Sequence, residues 1–163
     1  MAFLLGGANS AKGYDISNSV RLNDNDSPEL SFTLNENPTH QDKGTWSFWI
    51  KRGNILSAVS RIFSAYADSG ATQTWIRFDA ADKLDICNRV SSSNNTRLVT
   101  NRVFRDPSAW YHIVVAFDTS DGTAGDRVKL YVNGQKQTSL GTATYPSQND
   151  DLEGNTNGIP HSW

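Results

Sequence analysis

Apolar and polar residues alternate with a period of two along most of this chain, and this pattern constrains the fold more than any other feature. The segment 45–52 (TWSFWIKR), for example, places Trp46, Phe48 and Ile50 on one face and its remaining side chains on the other. Windows with apolar residues at the three-four spacing of a helix are almost absent. Because side chains of a β-strand point alternately to opposite faces, the pattern predicts an all-β protein.

The segment 126–137 (DRVKLYVNGQKQ) has the strongest turn signal of the chain. Its Asn133 and Gly134 favour a type I′ hairpin turn, because both central residues of that turn need a positive φ. The apolar side chains that this hairpin turns inward are Val128, Leu130 and Val132. The preceding segment 110–118 (WYHIVVAFD) is the most apolar of all and is predicted to be a central strand.

The alternating segments are short, evenly spaced and separated by clusters of Gly, Asn, Asp, Ser and Pro, which is typical of a sandwich or a barrel. The segments predicted to form strands are 19–23, 29–34, 45–52, 61–67, 74–80, 83–89, 97–104, 110–118 and the hairpin 126–137.

Length and composition exclude several classes of protein. A chain of 163 residues fits one domain. Its net charge is −2, and Lys and Arg form no run, so the clustered basic surface typical of a nucleic-acid-binding protein is not expected. The single cysteine, Cys87, rules out an intramolecular disulfide. The apolar run at the N-terminus is too short to span a bilayer, and no other segment predicts a membrane span.

Five motifs resemble one known family: TWSFWIKRG, RIFSAY, WIRFDAADKLDI, VFRDPSAWYHIVVAFDTS and DRVKLYVNG. They are similar to the laminin-G-like, concanavalin-A-like lectin/glucanase jelly roll found in tail-fibre and head-fibre proteins of tailed bacteriophages. The resemblance implies an antiparallel two-sheet sandwich over 14–146, an N-terminal extension 1–13 and a polar C-terminal tail 147–163. The family usually continues with further strands, so either the jelly roll is truncated at the C-terminus or another chain supplies the missing edges.

The same resemblance implies a function outside catalysis. We expect a virion protein, made in the host cytoplasm, that acts as a fibre or appendage module and attaches to a glycan of the host surface. The alternative is a head-fibre or capsid-decoration protein that only docks on other virion proteins. The resemblance also favours a homo-oligomer, a trimer above all, although the chain has no coiled-coil heptads to specify one.

Glycoside hydrolysis is the third alternative, because some jelly rolls of this family are glucanases. It needs two carboxylates that flank the scissile bond. The chain has three glutamates, Glu29, Glu36 and Glu153, and none alternates with another acid along a predicted strand. His112 and Cys87 each lie within a strand, which favours packing roles over nucleophilic catalysis.

Calcium is the only metal that the sequence suggests, and no cofactor is required. Laminin-G-like domains often hold a calcium ion at one rim, and Asp118, Asp121 and Asp126 lie together in the segment DTSDGTAGD. Calcium prefers several oxygen ligands that converge from loops. The alternative is that these acids cap turns, where an aspartate accepts hydrogen bonds from its own backbone.

Aromatic residues on outward faces are the candidates for sugar binding, since Trp and Tyr combine an apolar ring with a polar tip. The alternation places Trp75 with Arg77, and Trp49 with Lys51, opposite the predicted core faces. A loop or a neighbouring subunit could instead cover these side chains. The tryptophans expected in the core are Trp46 and Trp110.

Overall fold

The computed structural model of the protein describes residues 18, 20–22, 26, 28–55, 57–66 and 70–163. These residues form eleven β-strands in two antiparallel sheets, with short 3₁₀ turns at Ala124–Asp126 and Glu153–Asn155. The predicted all-β, two-sheet jelly-roll sandwich is confirmed. The strands are β1 (Ser31–Thr33), β2 (Lys43–Lys51), β3 (Ser60–Tyr66), β4 (Gln73–Phe78), β5 (Lys83–Val90), β6 (Ser93–Val103), β7 (Trp110–Asp118), β8 (Val128–Val132), β9 (Gln135–Lys136), β10 (Leu140–Thr144) and β11 (Pro160–Ser162).

The two sheets differ in size. The larger has seven strands in the order β1-β11-β3-β4-β5-β6-β10, and the smaller has four in the order β2-β7-β8-β9. β7 therefore has neighbours on both sides, as predicted for the most apolar segment. It pairs with β2 over nine residues, from Lys43 opposite Asp118 to Lys51 opposite Trp110.

The core lies between the sheets and is built by the alternation seen in the sequence. Along β7 and β8 every second side chain is buried, and the residues between them are only half-buried or exposed. The buried side chains of these two strands are Tyr111, Ile113, Val115, Phe117, Val128, Leu130 and Val132. From the larger sheet, Phe63, Ile76 and Ile86 pack against them and are fully buried.

The predicted hairpin turn is also confirmed. Asn133 has a φ of 50° and Gly134 a φ of 76°, so both central residues lie in the left-handed region. Val132 pairs with Gln135 across the turn, which leaves a two-residue loop. Asparagine and glycine tolerate this conformation better than other residues, which explains why this dipeptide occurs here.

The C-terminal segment is part of the jelly roll, and the predicted boundary at residue 146 is therefore wrong. β11 lies between β1 and β3 in the larger sheet, and Leu152 and Ile159 are buried in the core. The segment 147–163 was expected to be a tail because it is polar, but its few apolar residues all pack inward or against the core. The predicted extension 1–13 and both ends of the predicted strand 19–23 lie outside the described residues, and residues 20–22 are not in a strand.

β2 forms one edge of the smaller sheet. Its inward side chains Trp46, Phe48 and Ile50 are only partly buried, whereas the inward side chains of β7 and β8 are almost fully buried. The core of the sandwich is therefore less completely covered along β2 than along β7 and β8. Within the described part of the chain, no helix is long and apolar enough to cross a membrane.

Candidate functional site

Four aromatic side chains lie on the outer face of the smaller sheet. Trp49 and Trp110 are each 50 % exposed, although tryptophan is usually among the more buried residues. Trp49 lies directly opposite His112 in the β2–β7 pairing, and their rings stack with centroids 5.0 Å apart and planes 19° apart. Tyr131 of β8 lies on the same face, opposite Val114. We call Trp49, Trp110, His112 and Tyr131 the aromatic platform.

The arrangement of the platform follows from the period of two. Tyr111 and Ile113 point into the core, so Trp110 and His112 must point outward. The hairpin turn then fixes the strand at this position. The backbone N–H of His112 donates to Asn133 Oδ1 at 2.8 Å, and the backbone N–H of Asn133 donates to the His112 carbonyl at 2.8 Å. The Oγ of Ser47 lies 3.1 Å from His112 Nε2 and holds the ring on its other side.

An apolar cleft of about 200 Å³ adjoins the platform along the edge of β2. Trp49 belongs to both, so its indole forms the border between them. The register of β3 against β4 shifts between Arg61 and Phe63, and this irregularity leaves Arg61 exposed at the cleft while Ile62 is buried. The residues that line the cleft are Leu22, Phe48, Trp49, Ile50, Arg61, Ile62 and Trp163.

Trp75 does not present the open ring expected for sugar stacking. It points to the outer face of the larger sheet as predicted, but it is only 5 % exposed. The guanidinium of Arg77 lies 4.6 Å from the centroid of its ring, so a cation already occupies the ring face that a sugar would need. Trp49 is therefore the predicted ligand-binding tryptophan that the structure leaves open.

Arg77 is likewise occupied by partners within the protein. Its Nη2 lies 2.8 Å from Asp85 Oδ2, and Arg97 holds the same carboxylate from β6 at 3.1 Å. Asp85 is fully buried, and its hydrogen bonds raise the pKa of Arg97. This network holds the Nε and Nη2 of Arg77 against Asp85.

Trp110 was expected in the core, and this prediction is wrong. The sequence did contain the signal, because Trp110 is one residue before buried Tyr111 in a strand of period two. The high apolar content of the whole segment obscured it. His112 was correctly predicted within a strand, but its place in an exposed aromatic surface depends on Trp49 of another strand.

Comparison with known proteins places this geometry in a family. The Laminin_G_3 family, described as the concanavalin A-like lectin/glucanases superfamily, matches residues 17–159. The chain belongs to the concanavalin A-like lectin/glucanase superfamily. The smaller sheet, the platform, all strands of the larger sheet except β11, and most of the residues around the cleft fall within the matched region. No curated protein matches the chain.

Two solved structures are similar to this chain. The native heptameric SAP-like pentraxin from Limulus polyphemus has 20 % sequence identity and a TM-score of 0.53, and the match covers 83 % of this chain and 56 % of the pentraxin. The carbohydrate binding module CBM66 from Bacillus subtilis has 13 % identity and a TM-score of 0.38, covering 82 % of this chain and 69 % of the module. The chain thus spans just over half the length of the pentraxin.

For a member of this superfamily, the predicted calcium ligands need a separate test. Asp118 forms a salt bridge with Lys43 at 3.2 Å, Asp126 forms one with Lys136 at 3.1 Å, and Asp121 Oδ1 accepts the backbone N–H of Thr123 at 2.8 Å. The three carboxylates thus have separate partners and do not converge. Across the described ranges, no group of three or more His, Cys, Asp or Glu could hold a metal ion. The residues predicted from the sequence therefore do not fit a calcium site as arranged here.

A glucanase-type member of the superfamily would need a carboxyl group that can donate a proton. Asp82 lies near the rim of the sandwich, but hydrogen bonds from Arg105 and Arg52 lower its pKa. Asp79 accepts the backbone N–H groups of Ala81 and Lys83, as a turn-capping aspartate does. Both acids thus stabilise the structure of the β4–β5 turn. A general acid needs a raised pKa, and that of Asp82 is lowered.

Proposed function

We propose that this protein is a non-enzymatic virion protein of a tailed bacteriophage, a fibre or appendage module that binds a glycan of the host surface. The observation that carries the proposal is the pair of half-exposed indoles, Trp49 and Trp110, on neighbouring strands of one sheet face. The lectin-type superfamily supports the binding of sugars. The resemblance of the sequence motifs to those of phage fibre proteins supports the virion role.

The platform has the chemistry that a sugar needs. Indole rings pack against the apolar C–H faces of a pyranose, and nearby polar groups orient the ring by hydrogen bonds. Trp49 lies opposite His112 and Trp110 lies opposite Lys51, so the two indoles are diagonal neighbours. Such neighbours are separated by roughly 7–8 Å, which gives a continuous surface along which a glycan can lie. Ser47 and Lys51 supply polar groups at its border.

A single shallow platform binds weakly, and an appendage compensates by presenting several copies. A trimer, which the resemblance to phage fibres favours, would place three platforms on one particle. Linked sites gain effective concentration, so the overall affinity can exceed that of one site by a factor on the order of 10² to 10⁴. Oligomerisation is thus part of the proposed function.

The second candidate function is a structural one, in which the protein docks on other virion proteins as a head fibre or a capsid-decoration module. The observation that favours it is the edge of β2, where Trp46, Phe48 and Ile50 are only partly buried. A strand added along this edge would complete the cover of the core and pair with the backbone groups of β2.

Glycan-array binding of the purified protein, with single-residue variants, tests the first proposal. We expect Trp49→Ala and Trp110→Ala each to weaken binding by about tenfold or more, because each removes one stacking ring. Tyr66→Ala is the matched control, since Tyr66 is an exposed aromatic residue of the larger sheet, away from the platform.

Equal losses in all three variants, or none, would contradict a glycan site on the platform. The position of the chain in an intact particle then decides between the two roles. A distal position on an appendage supports attachment, whereas β2 buried against the capsid, with no glycan bound, supports decoration.

A further inference from the structure

We propose that the glycan bound at the platform is anionic and carries a carboxylate, which Arg61 and Lys51 recognise at the end of the platform next to the cleft. This inference rests on the proposed glycan binding and adds the class of sugar to it. Two observations support it: the ion pairs of the lysines on the smaller sheet, and the location of Arg61 at the cleft.

Three of the four lysines on the strands of the smaller sheet contact a carboxylate. Lys43 pairs with Asp118, and Lys129 and Lys136 both pair with Asp126. The side chain of Lys51 has no hydrogen bond or salt bridge to any of the described residues. Lys51 lies directly opposite Trp110, so the one lysine of this sheet without an ion pair borders the platform.

Arg61 is the second cation without a counterion at this end. It is exposed at the mouth of the apolar cleft, and its side chain likewise has no hydrogen bond or salt bridge among the residues described. Its neighbour across the β3–β4 pairing is Arg77, which already forms a salt bridge with Asp85. The Arg61 guanidinium is therefore available to a ligand that contacts Trp49, which lines the same cleft.

Asp106 is an acidic group close to Lys51 that opposes this arrangement. Lys51 is close enough to contribute to the lowering of its pKa, but Asp106 is held first by the hydroxyl and the backbone N–H of Ser108. Counted over the described residues, these two cations and the one carboxylate, which Ser108 already holds, leave a net positive charge beside the two indoles. Around Asp118 and Asp126, in contrast, each of the three lysines contacts a carboxylate.

An anionic sugar fits these features together. Its ring can lie on Trp49, its carboxylate can accept a bidentate pair of hydrogen bonds from Arg61, and Lys51 can add a point charge. The apolar lining of the cleft lowers the local dielectric constant, so the charge interaction is stronger there than in bulk water. At about 200 Å³ the cleft also has room for a small apolar substituent of the sugar.

The experiment measures the binding of the full chain to polygalacturonate and to polysialic acid, with dextran as the neutral probe and dextran sulfate as the sulfated one. We expect the carboxylated polymers to bind, and Arg61→Ala to weaken them about tenfold or more, since hydrogen bonds to charged groups are among the strong ones. Lys51→Ala should weaken binding less. Lys136→Ala, a paired lysine on the same sheet, is the matched control and should change it little. Thermal melts verify that each variant is folded.

Four outcomes separate the possibilities. Loss of carboxylated-polymer binding in both Trp49→Ala and Arg61→Ala supports the inference, and partial recovery in Arg61→Lys supports a role for the planar guanidinium. Binding to neutral glycans alone, lost in Trp49→Ala and unchanged in Arg61→Ala, overturns the inference and leaves the proposed function standing. If dextran sulfate binds as well as the carboxylated polymers, and Lys136→Ala weakens binding as much as Arg61→Ala does, the attraction is that of any polyanion, and the inference is overturned. If no glycan binds, both the inference and the proposed function are overturned.

Discussion

At the scale of single residues, Cys87 illustrates how burial controls chemistry. Its side chain is fully buried on β5, and this burial, followed by the charge of Asp85, raises the pKa of the thiol to about 12. The thiolate is the reactive form, so the native thiol should be inert at pH 8. We expect a disulfide reagent such as DTNB to label Cys87 only after unfolding in guanidinium chloride. Rapid labelling of the native protein would contradict the burial seen here.

His161 predicts how stability depends on pH. It is buried beside the carbonyl of Gly154, and burial lowers its pKa below the ordinary value of 6.5. The unfolded chain therefore binds the proton more readily than the folded one, so the free energy of unfolding is highest above about pH 6.5 and falls as the pH drops below it.

Urea unfolding at a series of pH values between 8 and 5 measures this dependence. His161→Gln keeps a donor for the Gly154 carbonyl but cannot titrate, so the slope attributed to His161 should disappear. His40→Gln is the control, because the His40 side chain is 67 % exposed, and it should leave the slope unchanged. The interpretation fails if both variants behave like the original protein.

At the scale of elements, the turn Glu153–Asn155 joins the C-terminal segment to the core through Gly154. The backbone N–H of Gly154 donates to Thr74 Oγ1, whose hydroxyl in turn donates to Asn88 Oδ1. A Cβ on Gly154 would lie 2.9 Å from Thr74 Oγ1 and 3.0 Å from Thr74 Cβ, inside van der Waals contact. Because Thr74 is fully buried and hydrogen-bonded, it has little room to move.

We expect Gly154→Ala to lower the free energy of unfolding by about 1–3 kcal/mol, the usual range for an overpacked core. Gly125→Ala is the matched control, since a Cβ there would meet nothing within 4 Å, and it should change stability by less than about 0.5 kcal/mol. Chemical denaturation of both variants makes the comparison. Equal stability of the two would show that this turn does not pack as described.

At the scale of the whole molecule, one buried ion pair connects the two sheets. Arg52 at the end of β2 is 4 % exposed and lies 2.8 Å from Asp82 in the β4–β5 turn, and Arg105 approaches the same carboxylate at 2.8 Å. Arg52 Nη1 also donates to the Phe104 carbonyl at 2.7 Å. Removing the carboxylate would leave the charge of Arg52 buried without a counterion, which is far more unfavourable than losing an exposed pair.

Asp82→Asn should therefore lower the midpoint of thermal unfolding clearly more than Asp126→Asn, which breaks only surface pairs. Since the pKa of Asp82 is lowered in the folded protein, the stability it contributes is complete above its ordinary value of 3.8 and is lost as the pH falls below that value. Acid titration followed by circular dichroism should show a shallower decline in Asp82→Asn. Equal midpoints for the two variants would contradict the proposed connection between the sheets.

Local pattern was sufficient for the strands and insufficient for the C-terminal segment. The sequence correctly predicted the inward faces of β2 and β8 and the turn at Asn133, because alternation and turn preference depend on adjacent residues. It did not predict β11, whose three residues gain their cover and partners from β1 and β3. His161 pairs with Phe32 and Ala65, which are about a hundred or more positions away, and no local signal reports such a partner.

The candidate site, too, could be predicted only in part from local pattern. Alternation by itself determined that Trp49 and Trp75 point away from the core faces, since successive side chains of a strand must take opposite sides. Only the tertiary structure decided which indole stays open. Arg77 and its ion network occupy the ring face of Trp75, whereas Trp49 meets His112 from the next strand and borders a cleft at the edge of its sheet. Exposure depends on what lies across the sheet and above it, and that is a property of packing between distant segments rather than of sequence order.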